Sequence, residues 1–272
     1  MNTEFVKRMS ETLGTELLRK LQPTAHAELI LGFDPLSQGG VRLGQSRAGG
    51  FPDLPRGLES PSGLSFLCQI NLEEVPRLPS CSLLPGRGLL YFFYNTEDQP
   101  WGFDPADRGK WAVLYADTPA SKLRAMPELL QPTLADSFRI RFLKEQRYSD
   151  PEYTSDSFSA DEIRDYRYAL EEIATGRLDK LMGFPDPIQG GIESQCELAS
   201  HGVFCGDSSW QDDPAAPVLL EHPDDWRLLL QLDSNTPMGW MWGDTGRLYF
   251  MLPADAIERR DFSKAWTVLE SY

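Results

Sequence analysis

The chain has 272 residues, 41% of them apolar and 11% aromatic, and its 41 acids against 26 bases give a net charge of −15. A chain of this length buries roughly three quarters of the surface its unfolded form exposes, so it folds without disulfide or metal staples. The acidic balance argues against nucleic acid as a direct ligand, since phosphate backbones are held by Lys and Arg, and no apolar stretch approaches the roughly 20 residues a membrane helix needs.

Phe5, Met9, Leu13, Leu17 and Leu21 recur at every fourth position and predict one amphipathic helix within residues 1–22, with Thr3 as its N-cap. The same segment carries acids early and lacks an unbroken apolar core, so it does not read as a secretory signal. Cys68, Cys81, Cys196 and Cys205 show no short paired spacing, and a cytoplasmic location with free thiols is the expectation. Next comes "GFDPLSQGGVRLGQSRAGGFPDLPRG", whose Gly and Pro exclude long helices and predict loops with short strands between them. Strands are predicted over 64–72, over 86–95 ("GRGLLYFFYN") and over 110–117 ("KWAVLYAD"). In "SFRIRFLKE" (137–145), Phe138, Ile140 and Phe142 alternate with arginines, as in a half-exposed strand. A second helix opens on the Ser159–Glu162 capping box, turns Ile163, Tyr166, Leu170 and Ile173 inward, and stops at Gly176.

One phrase occurs twice. "GGFPDLP", "LSFLCQINLEE", "GRGLLYFFYN" and "KWAVLYAD" are followed in the same order by "MGFPDPI", "WRLLLQLDSNT", "TGRLYFMLPAD" and "AWTVLES". Gln69 then matches Gln231, Tyr91 matches Tyr249 and Trp111 matches Trp266, while the interval from Pro52 to Gln69 (17 positions) grows to 46 between Pro185 and Gln231. The expected fold is α+β and β-rich: one domain over residues 1–272, built by internal duplication of two halves related by a pseudo-twofold axis. The halves are placed at 39–117 and 181–272, joined by a helix-bearing segment 118–180, with the N-terminal helix packed on one side.

The combination "GGFPDLPRG", "FLCQINLEEVPRLP", "LPGRGLLYFFYN", "GFPDPIQ", "LLLQLDS" and "MWGDTGRLYF" resembles the YwqG-like family of uncharacterised bacterial proteins, from about Gly39 to the C-terminus. That resemblance implies a β-rich α+β fold with similar tandem halves and supplies no catalytic residues or cofactor. Family members occur near polymorphic-toxin genes, which implies an immunity or partner-binding role by association.

Gln69 with Asn71, and Gln231 with Asp233, are the leading candidate residues, because a polar side chain in an apolar strand needs partners or costs about 1–3 kcal/mol. They either face a shared cleft or clamp the backbone of the "GFPD" turn of the same half, with Asn or Asp capping the next turn; the structural reading is the favoured one. Trp101, Trp240 and Trp242 lie in Gly- and Pro-flanked positions that suit either a recognition surface or a lid on the core. Asp244, Gln231 and Arg47 are polar residues that folding alone can bring together.

Other motifs are weak. Cys196, His201 and Cys205 lack the tight spacing and fourth ligand of a zinc site, so no metal and no cofactor are expected. No G-x-S-x-G elbow surrounds any serine, "GGVRLGQSRAGG" lacks the order of a phosphate loop, and "DPEYTSDSFSADE" does not match a calcium loop. The functional expectation is a cytoplasmic protein-binding module, of immunity type, for a basic partner; the alternative is a small-molecule protein or enzyme using the cleft between the halves.

Overall fold

In the computed structural model, which describes residues 4–36, 42–119, 122–125, 137–154, 158–174, 178–221 and 223–272, the N-terminal apolar stripe forms two helices, α1 (Glu4–Thr12) and α2 (Thr15–Leu21). Gly14 between them is extended, with φ −59° and ψ 147°. Glycine is among the poorest helix formers, so the stripe breaks there while Phe5, Met9, Leu17 and Leu21 all stay buried. The expected cap, Thr3, lies outside the described residues.

In chain order there follow β1 (His26–Pro35), β2 (Arg47–Ala48), β3 (Asp53–Pro55), β4 (Ser65–Asn71), β5 (Leu89–Tyr94), β6 (Trp111–Ala116), β7 (Leu123–Ala125) and β8 (Phe138–Arg147). After α3 (Ala160–Ala174) come β9 (Lys180–Leu181), α4 (Ile192–Ser200), α5 (Ala216–Glu221), β10 (Trp226–Asp233), β11 (Arg247–Pro253), α6 (Ala254–Glu258) and β12 (Trp266–Glu270). The strands expected from apolar runs and alternation are present as β4, β5, β6 and β8. β1 has no counterpart among them, since "HAELILGFDP" mixes helix formers with the start of the turn-rich run. α3 opens as expected: the Ser159 hydroxyl accepts the Glu162 N–H at 3.2 Å, and the Glu162 carboxylate accepts the Ser159 N–H at 2.8 Å. Gly176, its expected stop, lies outside the described residues.

Ten strands form one antiparallel sheet in the order β12-β11-β10-β9-β1-β8-β2-β4-β5-β6, and β3 pairs with β7 in a separate ribbon. At its centre β1 and β8 pair along their whole length, from His26↔Arg147 to Pro35↔Phe138. The chain crosses itself here. β1, which precedes β2, lies beside β9, whereas β8, which precedes β9, lies beside β2.

The sheet curls until it nearly closes. Trp111 on β6 meets Trp266 on β12 edge to face at 4.9 Å, and the Trp111 indole donates to the Ala265 carbonyl at 2.9 Å. Phe92 on β5 packs across the interior against Phe250 on β11 at 5.3 Å. The main core fills this interior; burying each such Phe contributes about 1.5–3 kcal/mol. A second cluster lies between β4–β6 and the β3–β7 ribbon, and a third joins α1, α2 and α3 to Tyr148 beside the sheet centre. Among the described residues, no helix is long and apolar enough to cross a membrane.

Candidate functional site

Gln69 is fully buried, opposite Tyr91 of β5 and on the face covered by the β3–β7 ribbon. A buried amide must be satisfied, and the GFPD turn satisfies it. Gln69 Oε1 accepts the Asp53 N–H at 2.8 Å, while its Nε2 donates to the Gln45 carbonyl (2.9 Å) and to the Asp53 carboxylate (3.0 Å). The Tyr91 hydroxyl donates to the Asp53 carbonyl at 2.7 Å. Asp53 also takes the buried Arg47 guanidinium at 2.6 Å and the Gly44 N–H at 2.8 Å. Both Asp53 oxygens are thus engaged within the clamp, and the residue is 1% exposed.

The second GFPD turn is built from the same bonds. The Asp186 N–H donates to Gln231 Oε1 (2.8 Å), Gln231 Nε2 donates to the Leu178 carbonyl (2.6 Å) and to Asp186 (3.1 Å), and the Tyr249 hydroxyl donates to the Asp186 carbonyl (2.8 Å). Lys180 takes the place of Arg47, six positions before the turn's Asp, and reaches Asp186 at 2.7 Å. Arg47 faces Gln69 in the ladder as Lys180 faces Gln231, and a bulge precedes each Gln. The Ser46 hydroxyl accepts the Asn71 N–H at 2.9 Å; Asp179 accepts the Asp233 N–H at the same distance. Burial, with the nearby Asp233 charge, pushes the Asp179 carboxyl well up, at the position where the first turn has a serine.

The second turn is wired into a line of buried charges. Lys180 also holds Glu28 of β1 at 2.6 Å, and the other Glu28 oxygen meets His26 Nε2 at 2.9 Å. Burial works to raise the Glu28 pKa, but the Lys180 charge and the His26 hydrogen bond outweigh it and hold the carboxyl at about 2. On the other side Arg247, 1% exposed, donates to Asp233 (3.1 Å), to the Asp186 carbonyl (2.8 Å) and to Glu171 of α3. Beyond Glu171 the surface opens into a cleft of about 400 Å³ between α3 and the segment after the second turn, walled by Ile163, Arg167, Tyr168, Ile188 and Tyr272. Arg167 is already held by Asp150 (2.8 Å) and Glu152 (2.8 Å).

A model of a domain of unknown function, DUF1963, matches residues 46–270. The chain belongs to the DUF1963 family. No curated protein matches it. The DUF1963 segment begins at Ser46, within the first clamp, and ends at Glu270 on β12, so it takes in both GFPD turns and both glutamines but leaves out β1.

Within this DUF1963 framework the expected candidates separate. Gln69 and Gln231 are backbone clamps, each in its own network. Asn71 caps its turn, with Oδ1 accepting the Glu73 N–H at 3.0 Å and Nδ2 donating to the Gly44 carbonyl at 2.7 Å. Asp233 pairs with Arg247 instead of capping a turn. Of the two places open to Trp242, recognition surface or core lid, it takes the second: it is 1% exposed, wedged between Tyr94 and Trp240, and its indole donates to the Asp233 carbonyl at 3.2 Å. Trp240 is equally buried, whereas Trp101 is exposed and Asp244 stands in an exposed turn. Arg47, Gln231 and Asp244 do not converge, for the first two belong to different clamps. Cys196 is buried in the core, His201 Nδ1 bonds the Glu197 carbonyl at 2.8 Å, and Cys205 packs on the Phe103 and Gln195 carbonyls. Among the described residues no group of three or more His, Cys, Asp or Glu side chains is placed to hold a metal. The charged line His26–Glu28–Lys180–Asp186 escapes sequence reading; its one signal is the base six positions before the Asp of each turn.

Proposed function

We propose that the chain is a protein-binding module for a basic partner, of the immunity type, in which an acidic protein masks a cationic one. One observation carries this reading. The glutamine clamps serve the scaffold, so what is specific to this molecule lies in what the two turns do not share, and the longer interval after the second turn is the largest such difference. Between Lys180 and Arg227 the sequence holds nine Asp or Glu and no Lys or Arg. Asp207, Asp212, Glu221, Asp224 and Asp225 of that stretch are exposed. An acidic surface of this kind steers a basic partner and speeds encounter. The clamps' own likeness, in residues and in bonds, supports an origin of the two halves by internal duplication.

The test is association with candidate basic proteins, including the product of any adjacent toxin gene, at low and at moderate salt. Association should slow as ionic strength shortens the screening length toward about 8 Å. Failure of every such protein to bind, together with a metabolite that raises the melting temperature, would move the function to the second reading, a small molecule in the cleft beside α3, for which the 400 Å³ opening between Tyr168 and Tyr272 is the supporting observation.

A further inference from the structure

We infer that the rim carrying Trp101, Phe204 and Met241 is the docking face for a basic, partly apolar protein segment; this rests on the protein-binding reading above and assigns it a place. Singly exposed apolar residues are ordinary on any surface. These three, each 43% exposed, differ in lying on segments that hydrogen bonds tie together. The loop at 101–103 lies along the outer edge of β12. The Leu269 N–H donates to the Trp101 carbonyl at 3.0 Å and the Trp266 indole to the Gly102 carbonyl at 2.8 Å. Gly102 has φ +79°, and a Cβ there would sit 1.9 Å from the Thr267 carbonyl oxygen, so only glycine lets the loop approach so closely. On its far side the Cys205 N–H donates to the Phe103 carbonyl at 2.9 Å, which brings Phe204 to the same rim. At the near end Gln99 donates to the Met241 carbonyl (3.0 Å) and accepts the Gly243 N–H (2.8 Å). The Trp101 ring stacks on Phe103 at 6.2 Å. The aromatic platform is therefore held in place before any partner arrives, which lowers the ordering cost of binding.

Charge selects the occupant. Each apolar residue has an exposed carboxylate three positions away in the chain: Asp98 before Trp101, Asp207 after Phe204 and Asp244 after Met241. The neighbouring bases are in use. Arg108 lies over the Trp266 ring at 4.8 Å and donates to the Ser200 carbonyl at 2.9 Å, and Lys110 pairs with Asp107 at 3.0 Å. A segment that offers Lys or Arg to these acids and apolar side chains to the platform fits both features, with a cation over the Trp101 indole as an added attraction.

The probes are three synthetic peptides of equal length: one alternating Lys and Leu, one of Lys and Gly, and one alternating Glu and Leu. Titrated into the full chain at low salt, the Lys–Leu peptide should bind and shift Trp101 emission, the Lys–Gly peptide should bind about tenfold more weakly, and the Glu–Leu peptide should not bind. The double variant W101A/F204A should lose about tenfold or more in affinity. Because Trp101 touches Phe103, M241S and D207N/D244N provide solvent-side substitutions that leave the core alone; the first should weaken binding and the second should slow association. Lys–Leu binding that none of these variants changes would overturn the rim and leave the protein-binding reading intact. If the Lys–Leu peptide does not bind at low salt the rim proposal falls by itself, and the protein-binding reading is decided by the association test with whole basic proteins.

Discussion

Replacing Lys180 by Met tests whether the second clamp depends on its charge. Lys180 is 2% exposed and stands between two carboxylates that are nearly as buried, with Nζ 2.6 Å from Glu28 and 2.7 Å from Asp186. Methionine keeps the length and apolar body of the side chain, so the perturbation is the lost ammonium. Removing one partner of a buried pair costs about 3–5 kcal/mol, because it strands a charge in a poorly solvated site; here two carboxylates lose it. In a chain of this size that corresponds to a melting temperature roughly 10 °C lower. Arg141→Met provides the control: its pair with Asp34 is 50% and 47% exposed, and a surface pair contributes about 0–1 kcal/mol. Urea unfolding followed by circular dichroism and tryptophan fluorescence measures both. Adding Glu28→Gln and Asp186→Asn to the Lys180→Met chain should recover part of the loss, since amides need no counter-ion. If Lys180→Met costs no more than Arg141→Met, the buried charge contributes nothing and the reasoning fails.

Stability should rise on mild acidification. Burial lowers the His26 pKa, but the hydrogen bond and charge of Glu28 more than offset this and leave it raised above 6.5, so its contribution is complete below that value and is lost as the pH climbs through the folded pKa. Burial pushes Glu193 up to about 7, and its protonated form likewise stabilises in acid and is lost as the pH rises through that value. The melting temperature should be higher near pH 6 than near pH 8, with a shallower slope in Glu193→Gln; a flat or opposite profile contradicts this. Gly102→Ala, whose new Cβ would press on the Thr267 carbonyl, should cost about 1–3 kcal/mol in chemical unfolding and redden Trp101 emission as the loop lifts. Gln69→Leu and Gln231→Leu should each cost about 2–4 kcal/mol, by stranding the N–H of Asp53 or Asp186 and the carbonyl of Gln45 or Leu178, and calorimetry finding either below about 1 kcal/mol would refute the clamp. Residues 1–150 expressed alone should aggregate, since they lack β9–β12 and expose the core those strands cover; a soluble monomer that melts cooperatively would show an independent domain.

The elements legible in the sequence are those whose period reports directly on burial. β4, β5 and β6 are apolar runs, β8 alternates, and α3 announces its start through Ser159 and Glu162. The doubled phrase led to Gln69 and Gln231 because a polar residue kept inside an apolar strand at matching positions implies matching partners. What stayed illegible depends on contacts distant in sequence. Glu28 and Lys180 are 152 positions apart and meet only because β1 lies beside β9. The fate of the tryptophans is tertiary in the same way: Trp101 and Trp242 both have glycine neighbours, yet one sits on the rim and the other closes the core.

The crossing of β1 and β8 sets an order of events on the ribosome. β1 is made before either of its neighbours, residues 138–147 and residue 180, so it must wait unpaired for more than a hundred residues of synthesis. The meander β4–β5–β6 closes on local contacts and has no such delay. A waiting strand with free N–H and C=O groups on both sides is a template for any compatible β8, including one on another nascent chain. Two chains that traded β1 in this way would satisfy the same ten-residue ladder with the same side chains. Crowding of nascent chains therefore competes with self-pairing at this one seam, and the monomer is favoured by dilution and by β8 of the same chain arriving first.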